Sequence, residues 1–335
     1  MSTRAHDLLR IDAKVETSRI AAAMRSQLGE VLRRRGFVVA ISGGVDSSVC
    51  AGLAVHAVGK HHVFGIFLPE RDSDPESLAL FEETVRRLDI PYTIEDISPI
   101  LDAAGCYRRR DDAIRNVVPE FGEGWRCKLV MPGNPLETDR LQVTQLAVLP
   151  PGGTLRTVRL PGDVYRDIVA ASNFKQRIRT MLTYYHADRL HYAVLGTPNR
   201  LEYDQGFFVK GGDGLADLKP IAHLYKTQVY QLAEHLGVSP SVIARTPTTD
   251  TYSLPQSQEE FYFALPVRQM DLVLYALNEG WPPERAAAAL GLTTEQATRA
   301  FRDIEQKRST TRYLHRPPLL VDPVPQIDTS APDNT

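Results

Sequence analysis

The chain has 335 residues, 43% of them hydrophobic, which is enough to bury a large core in one domain or two. Its 39 basic and 41 acidic side chains leave a net charge of -2, which excludes a global electrostatic attraction to nucleic acid; three scattered cysteines without a CxxC exclude a disulfide framework and a thiolate zinc site. The opening residues lack the apolar core of a signal peptide and no run of about 18 apolar residues occurs, so a soluble cytoplasmic protein without a membrane partner is expected.

In chain order, apolar residues recur at helical spacing from 13 to 35, and Gly36 ends the helix. "FVVAI" (37–41) is a continuous apolar run of strand length, as expected for a strand covered on both faces of a parallel sheet. A helix is predicted over 47–58, a strand over 62–67, a helix over 75–88 and a strand over 92–97. This alternation predicts an α/β fold, a doubly wound and mostly parallel sheet of Rossmann-like type.

Composition changes over 105–162. "CYRRRDDAIRNVVPEFGEGW" is charged and reads as irregular, and the short alternating runs after it are broken by Pro-Gly, Gly-Asn-Pro and Pro-Gly-Gly, which predict β-hairpins. These residues are expected to form a β-rich insertion inside a single catalytic domain spanning 1–335. The α/β body resumes with a helix over 164–188, a strand over 191–196, a Gly-rich loop over 205–216 and a helix over 224–237. Beyond "RTPTTDTYSLPQSQ" only helices are predicted, at 259–264, 266–279, 282–290 and 293–309, with a helical C-terminal segment ending in a disordered tail over 320–335. The stretch "ERAAAALGLTTEQATRAFRDI" resembles a helix-turn-helix, but Glu295, Asp303 and Glu305 on its second helix argue for a structural helix pair.

The chemistry starts at "AISGGVDSS", residues 40 to 48. A strand, a tight Gly turn and a helix N-terminus aim backbone N–H groups and the positive end of a helix dipole at one point, which is an anion site. A plain strand-to-helix turn would need the glycines and one cap, but not Ser42, Ser47 and Ser48 around the carboxylate of Asp46. No G-x-x-x-x-G-K-[ST] is present, so a Walker-type site is excluded.

This SGGxDS pattern after the first strand resembles the pyrophosphatase loop of the ATP-pyrophosphatase superfamily, which includes NAD synthetase, GMP synthetase, asparagine synthetase and tRNA-modifying enzymes. Residues 173 to 250 narrow the resemblance. They carry Asn-x-x-x-Arg-x-Arg, Gly-Thr…Glu, "GFFVKGGDGLAD", Leu-x-Lys-x-Gln and Pro-Thr-x-Asp, and with "LHRPP" near the C-terminus they are similar to ammonia-dependent NAD synthetase over roughly two thirds of the chain. The resemblance implies ATP contacts at Ala40, Ser42, Gly43, Gly44, Val45, Asp46, Ser47, Ser48, Thr197, Lys226 and Thr248. It implies deamido-NAD contacts at Asn173, Arg179, Lys210, Asp217, His315 and Arg316, with catalytic parts for Asp46, Arg177, Asp213 and Lys226.

Asp46 and Glu202 follow two different strands, and two hard carboxylates at a phosphate site suit Mg²⁺. The implied reaction makes an acyl-adenylate from ATP and the nicotinate carboxylate of deamido-NAD, then NAD and AMP by attack of ammonia. No glutaminase segment is recognisable, so free ammonia or a separate glutaminase or amidotransferase subunit supplies the nitrogen, and the resemblance implies a homodimer. The insertion has no counterpart in the short bacterial members, Phe67 stands where an Arg is usual, Glu259-Glu260 replaces Asp-Glu, and Arg316 replaces a Lys. The rival readings are an amide ligase acting on another carboxylate and a tRNA-modifying adenylating enzyme, which the neutral net charge disfavours.

Overall fold

The run at 37–41 forms strand β1 (Phe37–Ala40), in which Phe37, Val38 and Val39 are wholly buried, as a strand covered on both faces requires. This is a computed structural model, and it describes residues 7–131, 144–248, 251–263 and 265–324. Strands β2 (Val63–Phe67) and β3 (Tyr92–Ile94) extend the sheet on one side of β1, and a later strand, Ala193–Leu195, joins on the other. All pairings are parallel, with Phe37 opposite both Val63 and Ala193. The third predicted strand is shorter than 92–97: among the described residues it has a partner on one side only, and Tyr92 and Ile94 lie exposed at that edge.

Alternation along the strands decides which helices cover which face. Phe37, Val39, Val63 and Phe67 point into one core with helices α1 (Ala13–Ser26), α2 (Val45–Val58) and α3 (Glu76–Leu88). Asp12 caps α1 by accepting from the N–H groups of Lys14 and Val15 at 3.0 Å. The helix stops well before 35, because Gln27–Val31 widens into a π turn containing Gly29 and Arg33 takes a left-handed conformation (φ 49°) that drops the chain into β1. Val38, Phe64 and Ile66 point the other way, against α4 (Ser98–Ala103), α5 (Cys106–Arg115) and the long α6 (Gly162–Leu190). Each such fully enclosed aliphatic or aromatic side chain contributes about 1.5–3 kcal/mol.

Helix α5 corrects the expectation of irregular structure over 106–115, while 116–125 is turns and irregular chain as expected. Tyr107, Arg110, Ala113 and Ile114 form its buried stripe. Arg110 fits there because Asp72 (2.8 Å) and Asp111 (2.9 Å) receive its guanidinium. The hairpin-rich part of the insertion is an antiparallel sheet of β4 (Arg126–Val130), β5 (Gln145–Leu149) and β6 (Arg156–Arg159). Its inner face packs on α5 and α6 through Cys127, Leu129, Leu146, Val148 and Ile168.

The strand at 193–195 is β7, and α7 (Arg200–Gln205), α8 (Lys226–His235) and α9 (Pro240–Ala244) follow it. A π turn at Glu259–Phe263 leads into α10 (Val267–Asn278), α11 (Pro283–Leu290) and α12 (Thr294–Thr311), which make a helical core of their own around Phe263, Leu274, Leu290 and Ile304. Residues 325–335 of the expected tail lie outside the described residues.

Candidate active site

The sheet order β3-β2-β1-β7 means the chain winds outward from β1 on one side and returns to its other side. That reversal leaves a crevice at the carboxyl ends of β1 and β7, where doubly wound sheets bind ligands. A cavity of ≈ 250 Å³ occupies this position, lined at its floor by Ala40, Ile66, Val194 and Gly196.

The turn out of β1 forms one wall. Gly43 has φ +79°, and a Cβ there would stand 2.9 Å from the Ser77 carbonyl oxygen, so both conformation and space demand glycine. Ser47 Oγ donates to the Gly44 carbonyl (3.1 Å) and accepts from the N–H of Ser42 (3.2 Å), which folds the turn onto the start of α2. Helix geometry leaves the first-turn N–H groups of α2 without intrahelical partners, and Gly44, Val45, Asp46 and Ser47 present that end to the cavity. Gly43 and Ser48 stand behind this wall, Ser48 donating to the Gly44 carbonyl at 2.9 Å and meeting Thr84 at 3.4 Å.

The starts of α7 and α8 bring polar and charged groups against Asp46. Asp46 accepts from Asn199 Nδ2 at 3.1 Å and pairs with the ammonium of Lys226, the first residue of α8, which is 1% exposed. Asn199 caps α7 through the N–H groups of Leu201 (2.9 Å) and Glu202 (3.3 Å), while Glu202 Oε2 accepts from the Asn199 N–H at 3.0 Å. This reciprocal cap fixes Glu202, and Gln258 Nε2 donates to its other oxygen at 2.9 Å. Burial, then the neighbouring Asp46, pushes the Glu202 carboxyl up to about 7 against the pull of Lys226. Burial opposes the charge on Lys226, but Asp46 and Glu202 outweigh it and hold its ammonium up to about 12.

Thr197, Thr248, Arg179 and Asp213 also line the cavity. Arg179 donates to the Leu68 carbonyl at 3.1 Å, and Asp213 closes the Gly-rich loop by accepting from the Val209 N–H at 2.8 Å. The other residues assigned to the dinucleotide, and Arg177, for which a catalytic part was expected, are not among the residues lining the cavity. Arg177 is exposed and donates to the Lys210 carbonyl at 3.4 Å; Lys210 in turn reaches the carbonyls of Tyr313 (2.8 Å) and Arg316 (3.0 Å). His315 stands edge-on to Tyr203 and Phe208, where burial and then Lys219 lower its pKa. Asp217 engages the fold with both oxygens, accepting from the Val194 N–H (2.7 Å) at the edge of β7 and from Tyr184 (3.2 Å). Asn173 is half-buried on α6, outside the cavity lining.

Sequence reasoning missed Asn199, although "NRLE" is a readable capping box. It also missed Arg245, which lines the cavity, donates to Ser77 Oγ at 2.7 Å and reaches the Ser42 carbonyl at 3.4 Å. Asp271 of α10, wholly buried, accepts from the N–H groups of Lys226 (3.1 Å) and Thr227 (2.6 Å) and so caps α8 from a distant element.

Fold and site together define a doubly wound α/β protein with a glycine turn opening onto a helix N-terminus, and the carboxylates of Asp46 and Glu202, at the cavity of its topological switch point. A family model described as NAD synthase matches residues 16–118 and 157–318, and the chain belongs to that family. A protein from Rhizobium rhizogenes named NH(3)-dependent NAD(+) synthetase is 58% identical over 323 residues, 96% of this chain and 97% of its own length. One of the same name from Thermotoga maritima is 35% identical over 73% of this chain and 81% of its own. Among solved structures, an NMN synthetase from Francisella tularensis superposes with a TM-score of 0.64 at 20% identity, covering 93% of this chain and 99% of that one. An NH3-dependent NAD synthetase from Campylobacter jejuni gives 0.60 at 19%, covering 93% and 100%. The two structures share the fold. The break in the family match, 119–156, falls on the β insertion, which the rhizobial alignment, at 96% of the chain, takes in. Among the described residues no helix is long and apolar enough to cross a membrane.

Proposed function

We propose that this chain joins ammonia to the nicotinate carboxylate of deamido-NAD at the expense of ATP. The carboxylate attacks the α-phosphorus, pyrophosphate leaves, and ammonia displaces AMP from the acyl-adenylate to give NAD. The observation that carries this reading is the 58% identity to an NH(3)-dependent NAD(+) synthetase across nearly the whole chain. The geometry supports it. A carboxylate is a poor electrophile, and its activation by phosphoryl transfer needs positioned positive charge more than covalent chemistry. The open N–H groups of α2 and the ammonium of Lys226 are the groups offered to the departing pyrophosphate, and Arg179 and Arg245 stand on the same cavity.

Asp46 and Glu202 would hold Mg²⁺. The fit lies in the donor set: two carboxylates close enough that one raises the pKa of the other, beside the phosphate-binding turn. When bound, the ion supplies charge neutralisation on phosphate oxygens. In the metal-free protein a proton competes for Glu202, so Mg²⁺ affinity is expected to fall about tenfold per pH unit below about 7. Calorimetric titration at pH 6, 7 and 8 checks this, and an affinity independent of pH would remove Glu202 from the donor set.

A homodimer is supported by Met181 and Tyr185, exposed one turn apart on α6. The burial of Cys50, Cys106 and Cys127 as free thiols supports a reducing, cytoplasmic setting. Nitrogen enters as free ammonia or from a separate glutaminase. Incubation with Mg-ATP, ammonium and deamido-NAD is expected to yield NAD and AMP in equal amounts, and release of ADP instead would overturn the scheme.

A further inference from the structure

The cavity wall that carries Thr248 and Gln258 belongs to a loop whose stem and tip are held by different parts of the molecule. At the stem, Thr248 and Ser257 form an antiparallel bridge, and the Gln258 N–H donates to the Pro247 carbonyl at 3.1 Å. At the tip, residues 253–256 run along β4, the edge strand of the insertion. Ser253 Oγ accepts from the Cys127 N–H at 2.9 Å, the Leu254 N–H donates to the Cys127 carbonyl at 3.1 Å, and Gln256 Nε2 donates to the Leu129 carbonyl. Tyr252 inserts into the apolar core that the insertion shares with α5 and α6. From the other side, Lys175, 1% exposed and paired with Glu70 and Asp72, donates to the Thr251 carbonyl at 2.8 Å.

We propose that the β insertion is a brace for this loop, with Ser253 and Gln256 as positioning residues that set Thr248 and Gln258 at the cavity. A loop with Thr and Pro at its stem has no core of its own, and ordering it on ligand binding would subtract from affinity. Pinning its tip to a sheet edge supplies that order beforehand, and it also covers an edge strand that would otherwise stand open. Gln258 then reaches Glu202 without further rearrangement. The insertion thus acts on the site through the loop and touches no reacting atom. This inference rests on the reading that the cavity takes ATP.

The test is the full-length Ser253→Ala/Gln256→Ala double variant. ATP binding, measured by calorimetry without acceptor, and kcat/KM for ATP are both expected to fall on the order of tenfold. KM for ammonium should stay within about twofold, while the melting temperature falls by a few degrees because the Cys127 N–H and the Leu129 carbonyl lose their side-chain partners. Ser253→Thr in the otherwise unchanged chain, which keeps the hydroxyl and Gln256, should bind ATP as the wild type does. Arg156→Ala, on strand β6 at the opposite edge of the same sheet, should change nothing. A folded double variant that binds ATP as tightly as the wild type would overturn the brace, as would an Arg156→Ala variant equally impaired. If the double variant fails to fold, Gln256→Ala alone carries the same test, with a loss of about threefold expected and wild-type binding again overturning the proposal. A wild-type chain that binds no ATP would strike the functional reading itself, and this inference with it.

Discussion

Replacing Asp46 by alanine is expected to slow pyrophosphate release about a thousandfold, equivalent to roughly 4 kcal/mol of transition-state stabilisation. Asp46 sits in the first turn of α2, so its carboxylate is delivered to the place where the turn's N–H groups gather. It also holds Asn199 and Lys226, one from each of the other elements at the wall. Removing one partner of a buried ion pair ordinarily costs several kcal/mol, because the remaining charge has no counter-ion. Here Glu202 takes that place. Asp46 is among the causes that keep the Glu202 carboxyl protonated up to about 7, so once Asp46 is gone Glu202 ionises more readily beside Lys226. The variant should therefore fold, with a modest fall in melting temperature, while its turnover collapses. Asp46→Asn separates the two effects: it keeps the side chain's size and loses only the charge, and it should be as inactive as the alanine variant. Pyrophosphate release by Asp46→Ala at the wild-type rate would take Asp46 out of the chemistry altogether.

The parallel sheet was legible because β1, β2 and β7 are buried on both faces and read as unbroken apolar runs. Helix α5 was not, since its buried stripe includes Arg110, whose acidic partner Asp72 lies 38 residues away. The same distinction runs through the site. Asp46 could be placed from local pattern alone, by strand, glycine turn and helix. Glu202 and Lys226 are unremarkable as a loop acid and a helix lysine, and resemblance singled them out. Arg245, Gln258 and Asp271 carried no local signal: each reaches the site through a contact spanning 203, 56 and 45 residues respectively. Side chains of that kind are placed by the packing of whole elements, and periodicity records only which face of an element is buried.

Asp271 yields the largest expected effect on stability. Its carboxylate accepts from the N–H groups of Lys226 and Thr227 and from the Thr227 hydroxyl at 2.5 Å, all at the start of α8. Those N–H groups have no intrahelical partner, and they are enclosed where the C-terminal helices meet the α/β body. In Asp271→Ala they are left unsatisfied, at a cost of about 3 kcal/mol, which in a chain of this size lowers the melting temperature by several degrees. Because Lys226 opens α8, the same substitution should displace its ammonium from Asp46 and reduce kcat with it. The pH dependence follows from burial, which raises the Asp271 carboxyl to about 6 although the Thr227 and Lys226 donors pull the other way. A folded-state pKa above the unfolded value of 3.8 gives a contribution fully present below that value and lost as pH rises through about 6. The stability gap between wild type and Asp271→Ala should therefore be wider at pH 4 than at pH 8. Thermal unfolding of both proteins across that range measures it, and a gap that grows with pH would mean that the ionised carboxylate is the form the cap requires.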